Sequence, residues 1–453
     1  MNAPYFLNQL ADFVSNGNPS LSPDVMKTTR DSVVDTFGCI LLGVNEEVSQ
    51  LSRETVDQYT DYGSEVYGTN LKCTAETAAF LNATSGHALD MDDWEIPGNS
   101  HASIVMLTAI FASATHLSGK DLTEAYVMGF EVIARLGEAI NFDHYAAGWH
   151  STGTIASVGA AAAVSRLWKL NAEQTANAMS LAISKAAGLT VQFGSHAKPL
   201  QAGFAAENGI RSARLARGGL TGHHHVLEGH QGYFELTGHR DKRRYTEPFT
   251  RIGQPLGLET YGQVLKPYPS CGYTHRMIDC AAKLKEMQIP LQEIRSITLF
   301  LPDFHFAILP FTQPQNRREA LFSLPFCAAM GLLHGDLTLA DLDNEMWRHQ
   351  DVKSLISMTD IHAFKPSRPA LNYDENDPDR MEICLHNGEV KKSEVPFPTG
   401  APQNPMTSEA LTAKFINNAS RVRQPQADEV EQLLAWTESD DILPLLSSMA
   451  RKK

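Results

Sequence analysis

Cysteine is scarce, with six residues (Cys39, Cys73, Cys271, Cys280, Cys327 and Cys384) scattered over 453 positions and no C-x-x-C pair among them. That excludes a disulfide frame or a zinc ribbon and fits reduced thiols, so a cytoplasmic location is expected. Apolar runs long enough to span a bilayer are missing. The first residues, MNAPYFLNQLADFV, lack the basic segment, apolar core and cleavage site of a signal peptide. Cationic excess is missing too: 38 Lys and Arg stand against 52 Asp and Glu, for a net charge of −14. That balance argues against a nucleic-acid or membrane partner. No Gly-rich dinucleotide fingerprint, Walker loop or H-E-x-x-H is present, so neither a phosphate-bearing cofactor nor a catalytic metal is expected.

What the chain does have is helix. Apolar residues recur at three and four in PDVMKTTRDSVVDTFGCILLG, AETAAFLNATSGHAL, ASIVMLTAIFASATHL, DLTEAYVMGFEVIARLGEAI, STGTIASVGAAAAVSRLW, AEQTANAMSLAISKAAGL and PLQAGFAAENGIRSARLARGG. Several are apolar nearly all round and rich in Gly and Ala, the pattern of central helices in close contact. Near Gly262 the texture changes. IRSITLFLP and RMEICLHNGEV read as strands, with Asn-Gly turning the second into KKSEVPF. THRMIDCAAKLKEMQ and REALFSLPFCAAMGLLHG between them read as helices. At this length one core does not suffice. The expectation is a mainly α protein, with an all-helical domain from residues 1–261 and 401–453 and a smaller α+β lid from 262–400.

The stretch GHALDMDDWEIPGNSH places Asp90, Asp92 and Asp93 between His87 and His101. Asp90 falls just after a helix C-terminus, where the dipole disfavours a carboxylate and is expected to raise its pKa. Asp92 and Asp93 read as solvated turn acids. Ser100 is a natural N-cap for the helix that follows, which puts His101 in its first turn. In GWHSTGTIASVG, His150 precedes another apolar helix, and in SHAKPLQAGF, Lys198 precedes a third whose first turn holds Pro199. Three basic side chains at helix mouths point to one anion site if those mouths share a cleft. A fourth element, LKPYPSCGYTHR, adds Lys266, Ser270 and His275 as candidate substrate contacts. Cys271 there lacks the partners of a nucleophile. His223, His224, His225 and His230 match no metal-ligand spacing.

HALDMDD with His101 eleven residues after Asp90, GWHSTGT, KPLQAGFAAENG, KPYPSC with THR, and FSLPFCAA resemble, in order and spacing, the MmgE/PrpD family, over residues 25 to 400. That resemblance implies a helical domain with an α+β lid, usually in a homodimer, and no metal or organic cofactor. The family includes 2-methylcitrate dehydratase, cis-aconitate decarboxylase and iminodisuccinate epimerase, and its active-site positions fall on Asp90, His101, His150, Lys198 and Lys266. Two departures stand out. Trp94 replaces a small hydroxyl residue of the decarboxylases and is expected to reshape the pocket, and Phe326 stands where those enzymes carry tyrosine. The expected activity is therefore a lyase on a small di- or tricarboxylate, first a hydro-lyase, then an epimerase, then a cis-aconitate decarboxylase. A non-catalytic carboxylate-binding homologue is the reading from another class. In the enzymatic readings Lys198 and Lys266 hold carboxylates, His101 moves a proton with Asp90 orienting it, and His150 is a second proton carrier or a ligand.

Overall fold

The computed structural model describes residues 5–19, 21–237, 245–369 and 371–451, without the side chains of 141 and 142. Several helices start where short polar side chains satisfy the free N–H groups of a first turn, whereas Ala102–Ser113, Ser151–Leu167 and Ala197–Arg217 start without a side-chain cap. Ser22 caps α2 (Pro23–Gly43), with proline at its first position, and Thr74 caps α4 (Ala75–Gly86). Asn171 and Gln174 form a capping box for α8 (Ala172–Ile183). α5 (Ala102–Ser113), α6 (Gly119–Ala146), α7 (Ser151–Leu167) and α9 (Ala197–Arg217) complete the centre.

Small residues set how closely these helices approach. A Cβ at Gly209 on α9 would lie 2.5 Å from the Cβ of Ala160 on α7, and one at Gly129 on α6 would lie 2.8 Å from the carbonyl oxygen of Gly159 on α7. α7 is consequently buried along nearly its whole length, and the helix mouths at its N-terminal end are brought together.

The apolar residues form two main cores. The first runs from Leu7 to Leu265 and takes in Leu411, Phe415, Trp436 and Met449 from the returning C-terminal helices. The second spans Val264 to Ala401 and reaches into the first segment for Trp94 and Phe193. Its sheet has four strands in the order β4-β3-β5-β6: β3 (Ile294–Pro302), β4 (Thr359–Phe364), β5 (Asp379–Leu385) and β6 (Val390–Val395). β3 pairs β4 in parallel and β5 antiparallel, and β5 returns into β6 through the expected Asn-Gly turn, where Gly388 has φ +89°. The protein is mainly α with this smaller α+β part.

Three features depart from expectation. β4 was not anticipated, because it is an edge strand without apolar alternation. A hairpin of β1 (Ser64–Val66) and β2 (Leu71–Cys73) interrupts the helices. The helix expected over 318–335 is broken into Arg317–Ala320 and Leu324–His334, where Ser323 caps the second piece and Pro325 occupies its first turn. No helix among the described residues is long and apolar enough to cross a membrane.

Candidate active site

α4 ends at Gly86, and the chain then turns through His87 to Asp90, which adopts φ +52°. Two buried contacts fix the loop that follows. Lys414 Nζ, from the returning helix Ser408–Ala419, donates to the Met91 carbonyl at 2.7 Å and to Asp35 Oδ1 at 2.5 Å. Glu95 accepts from Gly98 N at 2.6 Å and from Ser100 N and Oγ at 2.9 and 2.6 Å. Ser100 is thus engaged by Glu95, and His101 itself takes the N-cap position of α5. His150 is likewise the N-cap of α7, and Lys198 is the second residue of α9. Each lies at a helix mouth as expected, although His101 stands at the N-cap rather than in the first turn and Lys198 inside its helix rather than before it.

These mouths meet at Asp90. Lys198 Nζ lies 2.9 Å from Asp90 Oδ1 and 2.9 Å from His87 Nε2. Lys266 Nζ, fully buried, reaches the same Asp90 oxygen at 2.9 Å. His101 Nε2 is 3.4 Å from it, and His101 Nδ1 is 3.1 Å from Asp92 Oδ2, although out of line for a hydrogen bond. His101 N donates to Thr152 Oγ1 at 3.0 Å, which joins the mouths of α5 and α7.

The charges correct two expectations. Burial alone would raise the Asp90 pKa, but the Lys198 and Lys266 ammoniums outweigh it and hold the carboxyl far below the usual range, so the helix C-terminus does not decide. Asp92 and Asp93 are not solvated: both are fully buried. Asp92 accepts from His87 Nδ1 at 2.9 Å, and His87 with His101 holds it ionised against burial. Asp93 is pushed well above the usual range by burial and by Asp35, and accepts from Ser103 Oγ at 2.6 Å.

Neighbours that can only donate or only accept set the histidine tautomers. Lysine only donates, so His87 Nε2 carries a lone pair and its Nδ1 carries the proton given to Asp92. Burial pushes the His87 pKa down to about 4. Gln201 donates Nε2 to the Leu189 carbonyl at 3.3 Å, which turns its Oε1 toward His150 Nδ1 at 2.5 Å. His150 therefore carries its proton on Nδ1, and its Nε2 is left with a lone pair. Burial, with Lys198 nearby, holds the His150 pKa well below the ordinary value, so this imidazole is neutral at physiological pH.

A cavity of about 30 Å³ adjoins the cluster, lined by Asp90, His101, His150 and Lys198 and by Trp94, Tyr273 and Phe322 among others. It has room for a water or two.

Of the sequence-derived candidates, Asp90, His101, His150, Lys198 and Trp94 line this cavity, and Lys266 contacts Asp90 from behind. Ser270 and His275 do not line it. Ser270 Oγ is bonded to Thr274 at 2.8 Å and His275 Nε2 to the Ser270 carbonyl at 3.1 Å, both fully buried, so they shape the turn that carries Lys266. Phe326 also lies outside, buried against Trp347, while Phe322 faces the cavity. The Cys271 thiol lines the cavity, but burial and Asp90 push its pKa up to about 11, which leaves it a poor nucleophile. His87 and Asp92 were not proposed as site residues. Their signal was present in the spacing of HALDMDD, where a turn after α4 brings residue 87 onto residue 92.

Among the described residues, His87, Asp90, Asp92 and His101 are the one group of metal-type ligands whose atoms lie within 4.8 Å of one another. The histidine run does not make such a group. Two of the four ligand atoms, His87 Nε2 and Asp90 Oδ1, already accept lysine protons at 2.9 Å, so a metal ion would have to displace a buried ammonium to bind them. That donor set suits an organic anion better than a divalent cation.

The chain is 28% identical to a cis-aconitate decarboxylase-like protein of Aspergillus oryzae over 442 residues, covering 91% of this chain and 90% of that one. It is 27% identical to the cis-aconitate decarboxylase of Homo sapiens, over 91% and 87% of the two chains, and 25% identical to that of Aspergillus terreus, over 97% and 94%. Residues 8–246 match the MmgE/PrpD N-terminal domain and residues 268–439 the MmgE/PrpD C-terminal domain, and the protein belongs to the MmgE/PrpD family.

Proposed function

We propose that the protein is a lyase that breaks a bond next to a carboxylate in a small di- or tricarboxylate, through an intermediate with carbanion or enolate character. The observation that carries this reading is the meeting of the Lys198 ammonium and two imidazoles, His101 and His150, at one cavity, with the Lys266 ammonium buried beside them on Asp90. In water-excluded surroundings the fixed positive charges of Lys198 and Lys266 stabilise negative charge as it develops on the substrate. His101 is the proton carrier, placed between Asp90 and Asp92. Lys198 does double service, as it orients His87 and faces the cavity.

Among the possible cleavages, loss of carbon dioxide from cis-aconitate has the best support from the relatives, and it replaces the dehydration favoured on sequence. The C–C bond to the leaving carboxylate breaks, its electron pair shifts toward the double bond, and His101 returns a proton to carbon. The sequence objection from Phe326 falls away, since that side chain does not face the cavity. One observation favours a second reading, dehydration of a 2-methylcitrate-type acid. The neutral His150, with a lone pair on Nε2, is equipped to remove a proton from carbon, a step that dehydration needs and decarboxylation does not.

Proton NMR in deuterated water with cis-aconitate, 2-methylcitrate, citrate and iminodisuccinate separates the readings. Decarboxylation converts cis-aconitate to a product one carbon shorter. Dehydration turns the methyl doublet of 2-methylcitrate into a singlet on a double bond, or gives citrate an olefinic signal, and epimerisation exchanges deuterium with inversion. Silence with all four substrates contradicts the proposed class. Metal analysis of the purified protein, with turnover measured after chelation, tests the assignment of the four ligand-type residues to an anion site.

A further inference from the structure

We infer that the Trp94 indole N–H and the Asn99 carboxamide N–H form a second carboxylate subsite at the cavity that the Lys198 ammonium also lines. This selects a substrate with two or more carboxylates, and it rests on the function proposed above. Both residues line the cavity and are more than nine-tenths buried, and neither Trp94 Nε1 nor Asn99 Nδ2 has a hydrogen-bond acceptor in the protein. Two buried donors left unpaired at one cavity are costly unless a ligand acceptor takes them.

The surroundings keep these donors free and aimed. Asn372 donates Nδ2 to the Ile96 carbonyl at 3.4 Å and to Asn99 Oδ1, and its own Oδ1 accepts from Tyr273 OH at 3.1 Å. That chain fixes the Asn99 amide with its oxygen used and its nitrogen unpaired. The indole is held edge-on between Tyr273 and Tyr373, at 6.1 and 5.7 Å between ring centroids, and the Trp94 backbone bridges to Val264 in both directions. A Cβ at Gly272 would sit 2.9 Å from Trp94 Nε1, so the missing side chain there leaves room beside the N–H. Gly272 also opens a fourteen-residue helix, whose N-terminal dipole adds positive potential on the same side. Lys198, whose ammonium lines the cavity, receives one carboxylate, and Trp94 with Asn99 receives another. Most of the parts that orient the second subsite come from residues 264–373, so the subsite is complete only when both cores are together.

The test is calorimetric titration of the full chain with succinate and with butyrate, which share a four-carbon skeleton and differ by one carboxylate. Wild-type protein is expected to bind succinate at least about tenfold more tightly than butyrate, the scale of a hydrogen bond to a charged group. Trp94→Phe keeps an aromatic ring but removes the N–H together with the pyrrole part of the indole, and Gly272→Ala fills the space beside the N–H of the intact indole. Each should lower succinate affinity about tenfold and leave butyrate within about twofold. Asn99→Asp keeps the left-handed backbone (φ +57°) and the acceptor for Asn372 but replaces the donor with an anion, and should abolish the preference for succinate. Unchanged succinate binding in Trp94→Phe, or equal loss of both ligands, overturns the subsite. Turnover of a carboxylate in the NMR panel without any dicarboxylate preference overturns the subsite alone. Succinate preference that disappears in the variants, with no turnover in the panel, supports the subsite and overturns the proposed activity.

Discussion

Each side chain in this site is defined by what its neighbour can give or take. Lys198 fixes the His87 tautomer because an ammonium has only protons to offer, and Gln201 fixes that of His150 through its oxygen. Converting His101 to Ala is expected to lower kcat at least about a hundredfold, the scale of a lost general acid or base, and near-normal turnover would remove it from the proton path. Gln201→Glu places a negative acceptor on His150 Nδ1 and should raise the His150 pKa. If neutral His150 is required, the acid limb of the kcat/KM profile moves to higher pH. An unmoved limb means that His150 does not titrate in the reaction. His101, His150 and Lys198 could be found from sequence because each sits beside a helix start. His87 was harder to assign, since its role depends on an ammonium 111 positions away.

Helices act here as carriers that deliver charged tips to one point. α7 packs tightly on α6 and α9 because glycine faces it, so Gly209→Ala forces a Cβ to 2.5 Å from the Ala160 Cβ. Overpacking of this kind is expected to cost about 1–3 kcal/mol in denaturant unfolding, and an unchanged midpoint would show that the helix pair can slip apart without cost. The helix Ser408–Ala419 supports the site from the far end of the sequence. Lys414→Met leaves Asp35 buried without its cation and frees the Met91 carbonyl, and about 3–5 kcal/mol of stability should be lost. The helices themselves could be read from periodicity. β4 could not, because what makes it a strand is its pairing with β3 rather than any pattern of its own.

Across the whole molecule, burial of uncharged imidazoles couples stability to pH. Burial pushes His87 down to about 4 and His144 and His275 to about 3, and holds His150 and His305 well below the ordinary value. Between pH about 6.5 and 4 the unfolded chain binds these protons and the native chain does not, so each group lowers stability as pH falls. His275→Asn removes one such group outside the cavity. The stability gap between wild type and this variant should therefore shrink by roughly 1.4 kcal/mol per pH unit below about 6, measured by urea unfolding at pH 7.5, 6 and 5. A gap independent of pH would show that His275 titrates alike in the native and unfolded chains.

Sequence by itself determined most of the helices, strands β3, β5 and β6 with their Asn-Gly turn, and the candidates Asp90, His101, His150 and Lys198 by virtue of their helix ends, because periodicity and capping are local and each residue carries its own share of the signal. Lys266 came from the proline-flanked KPYPSC stretch. Trp94 stood out by its departure from the family pattern. Tertiary structure alone decided the charge states and the partners. Asp90 is ionised because two lysines from distant segments reach one oxygen, and Asp92 and Asp93 are buried because Lys414 and His87 close over their loop. Phe322 rather than Phe326 faces the cavity because Ser323 and Pro325 break the helix between them. Electrostatics in a dry interior depends on distance through space, and that quantity is absent from any window of the sequence.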